Sequence, residues 1–547
     1  MIQHDVIVVG GGVAGLSAAI AAADRGSVAL ISKSHPLRSM SASIREGINC
    51  CDDDLFPSLV ADTIHAGEYL NDVNATEALI KNSSQMVSKL EEYGVAFTRD
   101  SAGLAATAKL QGASRSYTRY CSDHTGRAVV NALWSQVVKA GVSVYDEWMA
   151  TKLLVDESTV CGVVALDIRS GRVHSFSGRS VVICSGGYGG IFADSAAGSY
   201  VCGDGLAMAY RIGATLKNME FVDFHPAGLR TVDGMPSDGA AIGDMAIALG
   251  ARFVNSDGDE IDVGLNNGVL PPDHIMSNAL SNVAGDVALD FTTIDNELMA
   301  EIIPSCLPLL RSITTTSSDG IRVSVKPVVR RVIGGININS VGATNVSGLY
   351  AAGEAACSGV HGAGLLAGNS MLDDFVSGWN AGVEGSRVEG GFRTINEGDA
   401  HDEQNRIESI LRRDEGNSAA AISSSLRRAM SDGFGVLRSP DGMEIASQVL
   451  FDCRESLNGV AIYDGRSRYN QELVKVLELQ NMIEVAGALV TSAMARKESR
   501  GSHKRTDFIE VDDERYQKHS EITFHPNGSE VSFVSFPAIR SSRQEAQ

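Results

Sequence analysis

The stretch Asp5-Val-Ile-Val-Val-Gly10-Gly11-Gly12-Val-Ala-Gly15-Leu-Ser-Ala-Ala-Ile20 decides the fold. A short apolar run opens into Gly10-x-Gly12-x-x-Gly15 and then an alanine-rich segment, which reads as strand, tight turn and helix. Gly10 makes the turn, Gly12 lets the backbone approach a pyrophosphate, and Gly15 lets the helix pack closely on the strand. The helix amino terminus then offers unpaired N–H groups to a diphosphate. An ordinary glycine-rich turn and a transmembrane segment over residues 6–23 compete with this reading. The clustered glycines and the immediate Asp24-Arg25 stop favour the nucleotide site. The acidic ribose ligand of nicotinamide enzymes is expected about 20 residues on. Here the second strand, Val28-Ala-Leu-Ile31, delivers Ser32-Lys33, which weakens a nicotinamide assignment and leaves other dinucleotides open.

A chain of 547 residues exceeds what one hydrophobic core serves, so about two to four domains are expected. Hydrophobic content of 44% with 57 glycines suits a turn-rich α/β protein. The net charge of -21 argues against a nucleic-acid partner. It does not argue against a small anionic substrate, which answers to local charge. Nine cysteines without regular spacing point to reduced thiols in a cytoplasm and give no four-cysteine cluster, so no metal site is expected. No basic segment precedes the first apolar run, so neither export nor a membrane span is expected.

The first unit spans 1–235. A helical region near 53–95 follows the second strand, and Thr125-Gly126-Arg127 opens another helix. Short strands at Val142–Asp146 and Lys152–Val155, with Val160–Leu166 and Val173–Phe176, suggest a meander. Val181-Val-Ile-Cys184 runs into a second glycine cluster, Ser185-Gly186-Gly187-Tyr188-Gly189-Gly190. Gly203-Asp204-Gly205 feeds a further helix, where Asp204 is a candidate cap. His225, fixed before Pro226, faces either a cavity or the core. Residues 236–340 change to a mixed composition with glycine, asparagine and aspartate turns, as an inserted domain would. They close on Arg330-Arg331 before Gly334-Gly335, an anion-binding or a solvated pair. A third glycine cluster in 341–400 reads as the returning half of the cofactor domain. Helical patterns fill 401–500, and 501–547 reads as a small, polar, peripheral region.

Taken together, the Gly10–Gly15 signature, Gly203-Asp204-Gly205, Phe224-His225-Pro226, Gly353-Glu354-Ala355-Ala356, His361-Gly362-Ala363, Gly368-Asn369-Ser370 and Arg500-Gly501-Ser502-His503 resemble the flavoprotein subunits of succinate dehydrogenase, fumarate reductase and L-aspartate oxidase. The resemblance covers most of the chain. It implies an α/β fold in which a Rossmann-like FAD-binding domain is split by an α+β capping domain and followed by a helical domain. It also implies that Gly10, Gly12 and Gly15 approach the diphosphate, and that Ser32 and Lys33 lie near the adenosine. Asp204 and Glu354 would bind FAD hydroxyls. Asn369, Ser370 and Leu372 would lie near the isoalloxazine, with His361 close to the flavin.

The substrate positions depart from the family. Met40 stands where a histidine often carries FAD covalently, so a noncovalent flavin is expected. Leu365 replaces an arginine that clamps a substrate carboxylate. Pro272-Asp273-His274 occupies the region of the capping-domain arginine that moves a proton, which makes Asp273 and His274 candidates, with a surface turn as the competing reading. Ser237-Asp238-Gly239 stands for Thr-Glu-Gly, and Arg330 for a histidine. His225 and Arg330 would then orient an anionic substrate. The resulting expectation is an FAD-dependent oxidoreductase that exchanges a hydride between flavin N5 and a carboxylated small molecule other than plain succinate. Two alternatives stand beside it: a succinate dehydrogenase or fumarate reductase flavoprotein with a rearranged site, and a noncatalytic electron-transfer or assembly subunit. An iron-sulfur electron-transfer subunit is the expected protein partner, through which a cytoplasmic chain would attach peripherally to a membrane.

Overall fold

The computed structural model describes residues 1–231, 239–266, 268–314, 320–396, 398–525 and 528–537. The opening apolar run forms the buried strand Val6–Val9, and the helix Val13–Ala23 follows the glycine turn. Val6–Val9 is the middle strand of a five-stranded sheet ordered Leu349–Ala351, Ser180–Ile183, Val6–Val9, Val28–Ser32, Ser143–Asp146. Every pairing in it is parallel. Burial on both faces is what permits such continuous β-branched runs. A Cβ at Gly10 would lie 2.1 Å from the Cys184 carbonyl oxygen, and one at Gly15 would lie 1.8 Å from that of Gly10. These two positions therefore accept glycine alone.

The returning half of the cofactor domain closes on the first through glycine as well. Helix Asn369–Gly385 packs along Val13–Ala23, and Cβ atoms at Gly378 and Gly382 would reach 2.3 and 2.2 Å from the carbonyl oxygens of Ala14 and Ala18. The expected meander is present as antiparallel strands Trp148–Asp156, Thr159–Asp167 and Arg172–Ser177.

The cap is built on an antiparallel sheet ordered Val222–Leu229, Arg322–Val332, Val287–Asp290, Arg252–Val254. It has its own apolar core, which includes Met276, Leu289, Phe291 and Leu310. Its first strand precedes residue 235, so the cap grows directly out of the segment that carries Asp223 and His225. Ser277, on helix Asp273–Ser281, donates to the Phe224 carbonyl at 2.6 Å and ties that helix to the strand.

Helices Gly398–Leu411, Ala419–Phe434, Pro440–Leu457 and Gln471–Ala495 form the helical region. Ser418, Ser439 and Asn470 cap the last three by accepting from Ala421, Gly442 and Leu473 N–H groups. The polar stretch after residue 500 is not the peripheral tail its composition suggests. Ser502, His503 and Arg505 are buried, and strand His519–Ile522 pairs with Leu216–Lys217 and Val531–Val534. Charge is tolerated there because it is paired: Arg496 meets Glu220 at 2.6 Å, and Glu498 serves both Arg496 and Arg500 at 3.0 and 2.9 Å. Among the described residues, no helix is long and apolar enough to cross a membrane.

Candidate active site

One cavity runs from the Gly10–Gly12 turn past Lys33 and Asp204 to the junction with the cap, where Glu46, Asp244 and Arg330 line it. Its first end fits a dinucleotide. Gly12 is the helix N-cap and its bare backbone lines the cavity, while the first helical N–H, on Val13, donates to Ser41 Oγ at 3.2 Å. A Cβ there would come within 3.0 Å of the Ser41 hydroxyl. Ser32 lies on the same wall. Lys33 Nζ sits 2.6 Å from Asp204 Oδ2 and 2.5 Å from Glu478 Oε1, so the helical region braces this wall of the cavity. Asp204 does not cap its helix: it is the first residue of Asp204–Arg211, and Gly203 holds the cap position. Its Oδ1 accepts from Asn481 Nδ2 at 2.8 Å. Glu354 lines the cavity and accepts from the Val332 N–H at 2.9 Å.

The remaining sequence candidates divide between the wall and the layer behind it. Ser370 and Met40 are on the wall, and Leu365 contributes an apolar surface that is 1% exposed. Asn369 lies behind, donating to Thr63 Oγ1 at 2.9 Å and accepting from Asn49 Nδ2 at 2.8 Å. Leu372 packs in the core with Val13 and Leu16. His361 Nε2 is 3.2 Å from Asp373 Oδ2, and His274 Nε2 is 3.6 Å from Glu68 Oε1; neither ring lines the cavity. Ser237 and Asp238 lie outside the described residues.

The far end is organised by a β-bulge. Asp223 pairs with Arg331 and Phe224 with Val329, which leaves Arg330 out of register. A bulge re-aims a side chain, and the two adjacent arginines go to different places. Arg331 reaches Asp374 at 2.8 Å. Arg330 is surrounded by carboxylates: Asp244 at 2.8 Å, Asp223 at 3.0 Å, Asp273 at 3.1 Å and Glu46 at 3.4 Å. The sequence suggests a guanidinium open to substrate, but the structure fills its donors from within the protein. Asp273 reaches it from the first turn of the cap helix, and both its oxygens lack a hydrogen-bond donor among the described residues.

His225 completes the cluster. Its Nδ1 accepts from the Ala227 N–H at 3.1 Å, so the neutral ring carries its proton on Nε2, 3.3 Å from Asp244 Oδ1. His225, Asp244 and Asp273 present ligand atoms within 4.8 Å of one another, a spacing a metal could use. The cation among them is the Arg330 guanidinium, and the Nε2 proton blocks the free ring nitrogen. Burial pushes the Glu46 carboxyl up to about 8 and outweighs the pull of Arg330. Burial also acts on Asp244, but Arg330 and the neighbouring His225 ring overcome it and hold that carboxylate well below its usual range. Burial drives Asp273 well above the carboxylate range. The site thus separates protonated from ionised carboxyls, the condition for acid and base roles side by side. Ser370 Oγ donates to Glu46 Oε1 at 2.7 Å and fixes it against the cofactor wall. Sequence reasoning missed Glu46, Asp223 and Asp244. The available signal was Asp223 inside the apolar run Phe221-Val-Asp223-Phe, where a charge demands a buried partner.

A glycine-turn parallel sheet, split by a cap that brings an acid cluster to the same cavity, defines a dinucleotide-dependent redox enzyme. Residues 5–371 match the family model described as FAD binding domain, and residues 423–541 match that of the fumarate reductase flavoprotein C-terminus. The fumarate reductase flavoprotein subunit of Mycobacterium tuberculosis is 32% identical over 564 aligned residues, covering 96% of each chain. The succinate dehydrogenase flavoprotein subunit of Rickettsia bellii is 31% identical over 552 residues, 95% of this chain and 92% of its own. A solved quinol-fumarate reductase with menaquinol molecules superposes with a TM-score of 0.92 at 28% identity and 99% coverage of both chains. The chain belongs to the succinate dehydrogenase/fumarate reductase flavoprotein family. It is an FAD-dependent oxidoreductase acting on a small molecule, and the expected fold class, cofactor and enzyme class hold.

Proposed function

We propose that the chain is a succinate/fumarate-type flavoprotein with a rearranged substrate site, exchanging a hydride between FAD and a C–C bond of a small carboxylic acid. The full-length relatives support this chemistry over a noncatalytic role. The single structural observation that carries it is the continuity of the cavity from the Gly10–Gly12 cradle to Glu46, Asp244 and Arg330. Bound FAD supplies the hydride acceptor or donor. The protein supplies the proton: Glu46 holds it beside Ser370, and Asp244, kept ionised by Arg330 and His225, is the base that exchanges it. Asp273 holds a second proton on the cap side. Arg330 orders these carboxyls. His274 and His361 stand behind the wall as positioning residues. Met40, a thioether, supports noncovalent FAD.

A second reading keeps the chemistry and changes the substrate. Leu365 gives the cavity an apolar wall, which favours an acid bearing an aliphatic substituent over plain succinate. An iron-sulfur subunit is the electron partner that the resemblance supports, with cytoplasmic placement and peripheral attachment through it. Anaerobic addition of succinate, 2-methylsuccinate and aspartate to the oxidised enzyme separates the readings. Bleaching of the flavin by succinate supports the first and bleaching by 2-methylsuccinate alone the second, whereas no bleaching by any of them rejects both.

A further inference from the structure

Four cationic side chains from lysine or arginine line the cavity: Lys33, Arg45, Arg330 and Arg331. Lys33 is paired with Asp204 and Glu478, and Arg331 with Asp374. Arg330 is surrounded by four carboxylates. An incoming carboxylate gains little from any of these, because their donors are already engaged by carboxyl oxygens of the protein. Arg45 differs. Among the described residues it has no carboxylate within ion-pair distance. Its polar neighbour on the cap side is the Cys306 thiol, which burial pushes up and the Arg45 charge draws back down. A guanidinium carries five N–H donors in a planar fork, and a thiol sulfur is a weak acceptor. Arg45 therefore keeps most of its donors for a ligand.

Its location suits a ligand shared by both domains. Arg45 precedes Glu46 in the segment after Met40, so it is fixed to the cofactor side. Its stem runs past Gly243, where a Cβ would meet Arg45 Cβ at 3.0 Å and Cδ at 3.7 Å. Gly243 immediately precedes Asp244, and its backbone is held at a φ of 101°. Arg45 thus packs against the cap beside the acid cluster, half-buried, on the wall of the cavity.

We propose that Arg45 binds the carboxylate of the substrate, as the specificity-determining cation of this site. The inference rests on the reading of the chain as an oxidoreductase of small carboxylic acids and deepens it. Arg45 stands in for the cation absent at Leu365, and Arg330 becomes part of the protein's own acid cluster. A bidentate fork on a single carboxylate also explains how an acidic pocket accepts an acid: the guanidinium neutralises the anion beside Glu46 and Asp244.

The test uses FAD-loaded full-length protein, with malonate as an unreactive probe read by the shift of the visible flavin spectrum and by calorimetry. Succinate and 2-methylsuccinate are the reactive probes. Arg45→Gln is expected to weaken malonate binding by about 10- to 100-fold, the loss of a charge-assisted hydrogen-bonded contact, with FAD content and melting temperature unchanged. Arg45→Lys, which keeps the charge and loses the fork, falls between Arg45→Gln and the parent. If Arg45→Gln loses its flavin, Arg45→Lys decides alone, and a parental malonate affinity in it overturns the proposal. Parental malonate affinity in flavin-loaded Arg45→Gln, while succinate or 2-methylsuccinate still bleaches the parent, overturns the proposal and leaves the function standing. A parent protein that neither binds malonate nor reacts with either acid overturns both.

Discussion

Arg330 and Asp244 face each other as a buried pair, with Nη1 3.0 Å from Oδ1 and 2.8 Å from Oδ2, at the point where the cap sheet meets the cofactor cavity. The pair exists because a bulge turns Arg330 out of its strand register toward Asp223, Asp244, Asp273 and Glu46. Its first role is then electrostatic: one guanidinium keeps several carboxyls together in a buried site.

Removal of that guanidinium should destabilise the protein rather than merely weaken substrate binding. Breaking a buried ion pair from one side costs about 3–5 kcal/mol. Arg330→Met should therefore lower the urea midpoint of the FAD-loaded protein strongly. Combining it with Asp223→Asn should recover part of the loss. Equal stability of parent and Arg330→Met would show that the cluster is not held by Arg330.

Glu46 sets a pH dependence. Its carboxyl is raised from 4.5 to about 8, so it remains protonated through neutral pH and loses its proton as pH rises through about 8. Reoxidation of reduced enzyme by an unsaturated acid, which consumes that proton, should slow above this pH. Glu46→Gln should be slow throughout and lack that limb. Linkage has the same sign: stability from the neutral carboxyl is fully present below about 4.5 and is lost as pH rises through about 8. Chemical denaturation at a series of pH values should show this loss in the parent and less of it in Glu46→Gln.

Gly12→Val should empty the cofactor site while the fold persists. The added Cβ would sit 3.0 Å from Ser41 Oγ, and its branches would fill the cavity beside the glycine turn, where a diphosphate would have to approach the backbone. The purified variant should be colourless with parental helix content by circular dichroism. A parental flavin spectrum would contradict the assignment of this turn.

Met40 leads to a direct chemical expectation. Acid precipitation of the parent should release all flavin to the supernatant, since the thioether forms no counterpart of the histidyl link. Yellow protein in the pellet would refute noncovalent binding.

The fold was legible because its signals are local. The Gly10–Gly15 spacing, the apolar strands and the capped helices each follow from short-range sterics and periodicity, and the ordered motifs extended them to the whole chain. The candidate site was only half legible. Lys33, Asp204 and Ser370 come to the cavity wall through local geometry of turn and helix, whereas Glu46, Asp223 and Asp244 meet Arg330 only through strand pairing and a bulge. A one-residue register shift has no signature in a run such as Val328-Val-Arg-Arg-Val332, so an open clamp and an enclosed guanidinium read alike. The segment after residue 500 misled for a related reason, because Arg500 and His503 are polar in sequence and buried through paired charges in space.

Hydride and proton transfer across a C–C bond of a small carboxylic acid is the reaction proposed for this chain. Its most direct test is anaerobic mixing of photoreduced FAD-loaded enzyme with fumarate and 2-methylfumarate in deuterated water, following flavin absorbance and the mass of the product. Return of the oxidised flavin spectrum is expected with at least one of the two acids, together with a saturated acid formed in equal amount and carrying solvent deuterium at both former alkene carbons, because the N5–H of reduced flavin exchanges with solvent. A flavin that stays reduced with both acids, or returns without any saturated acid, would contradict it.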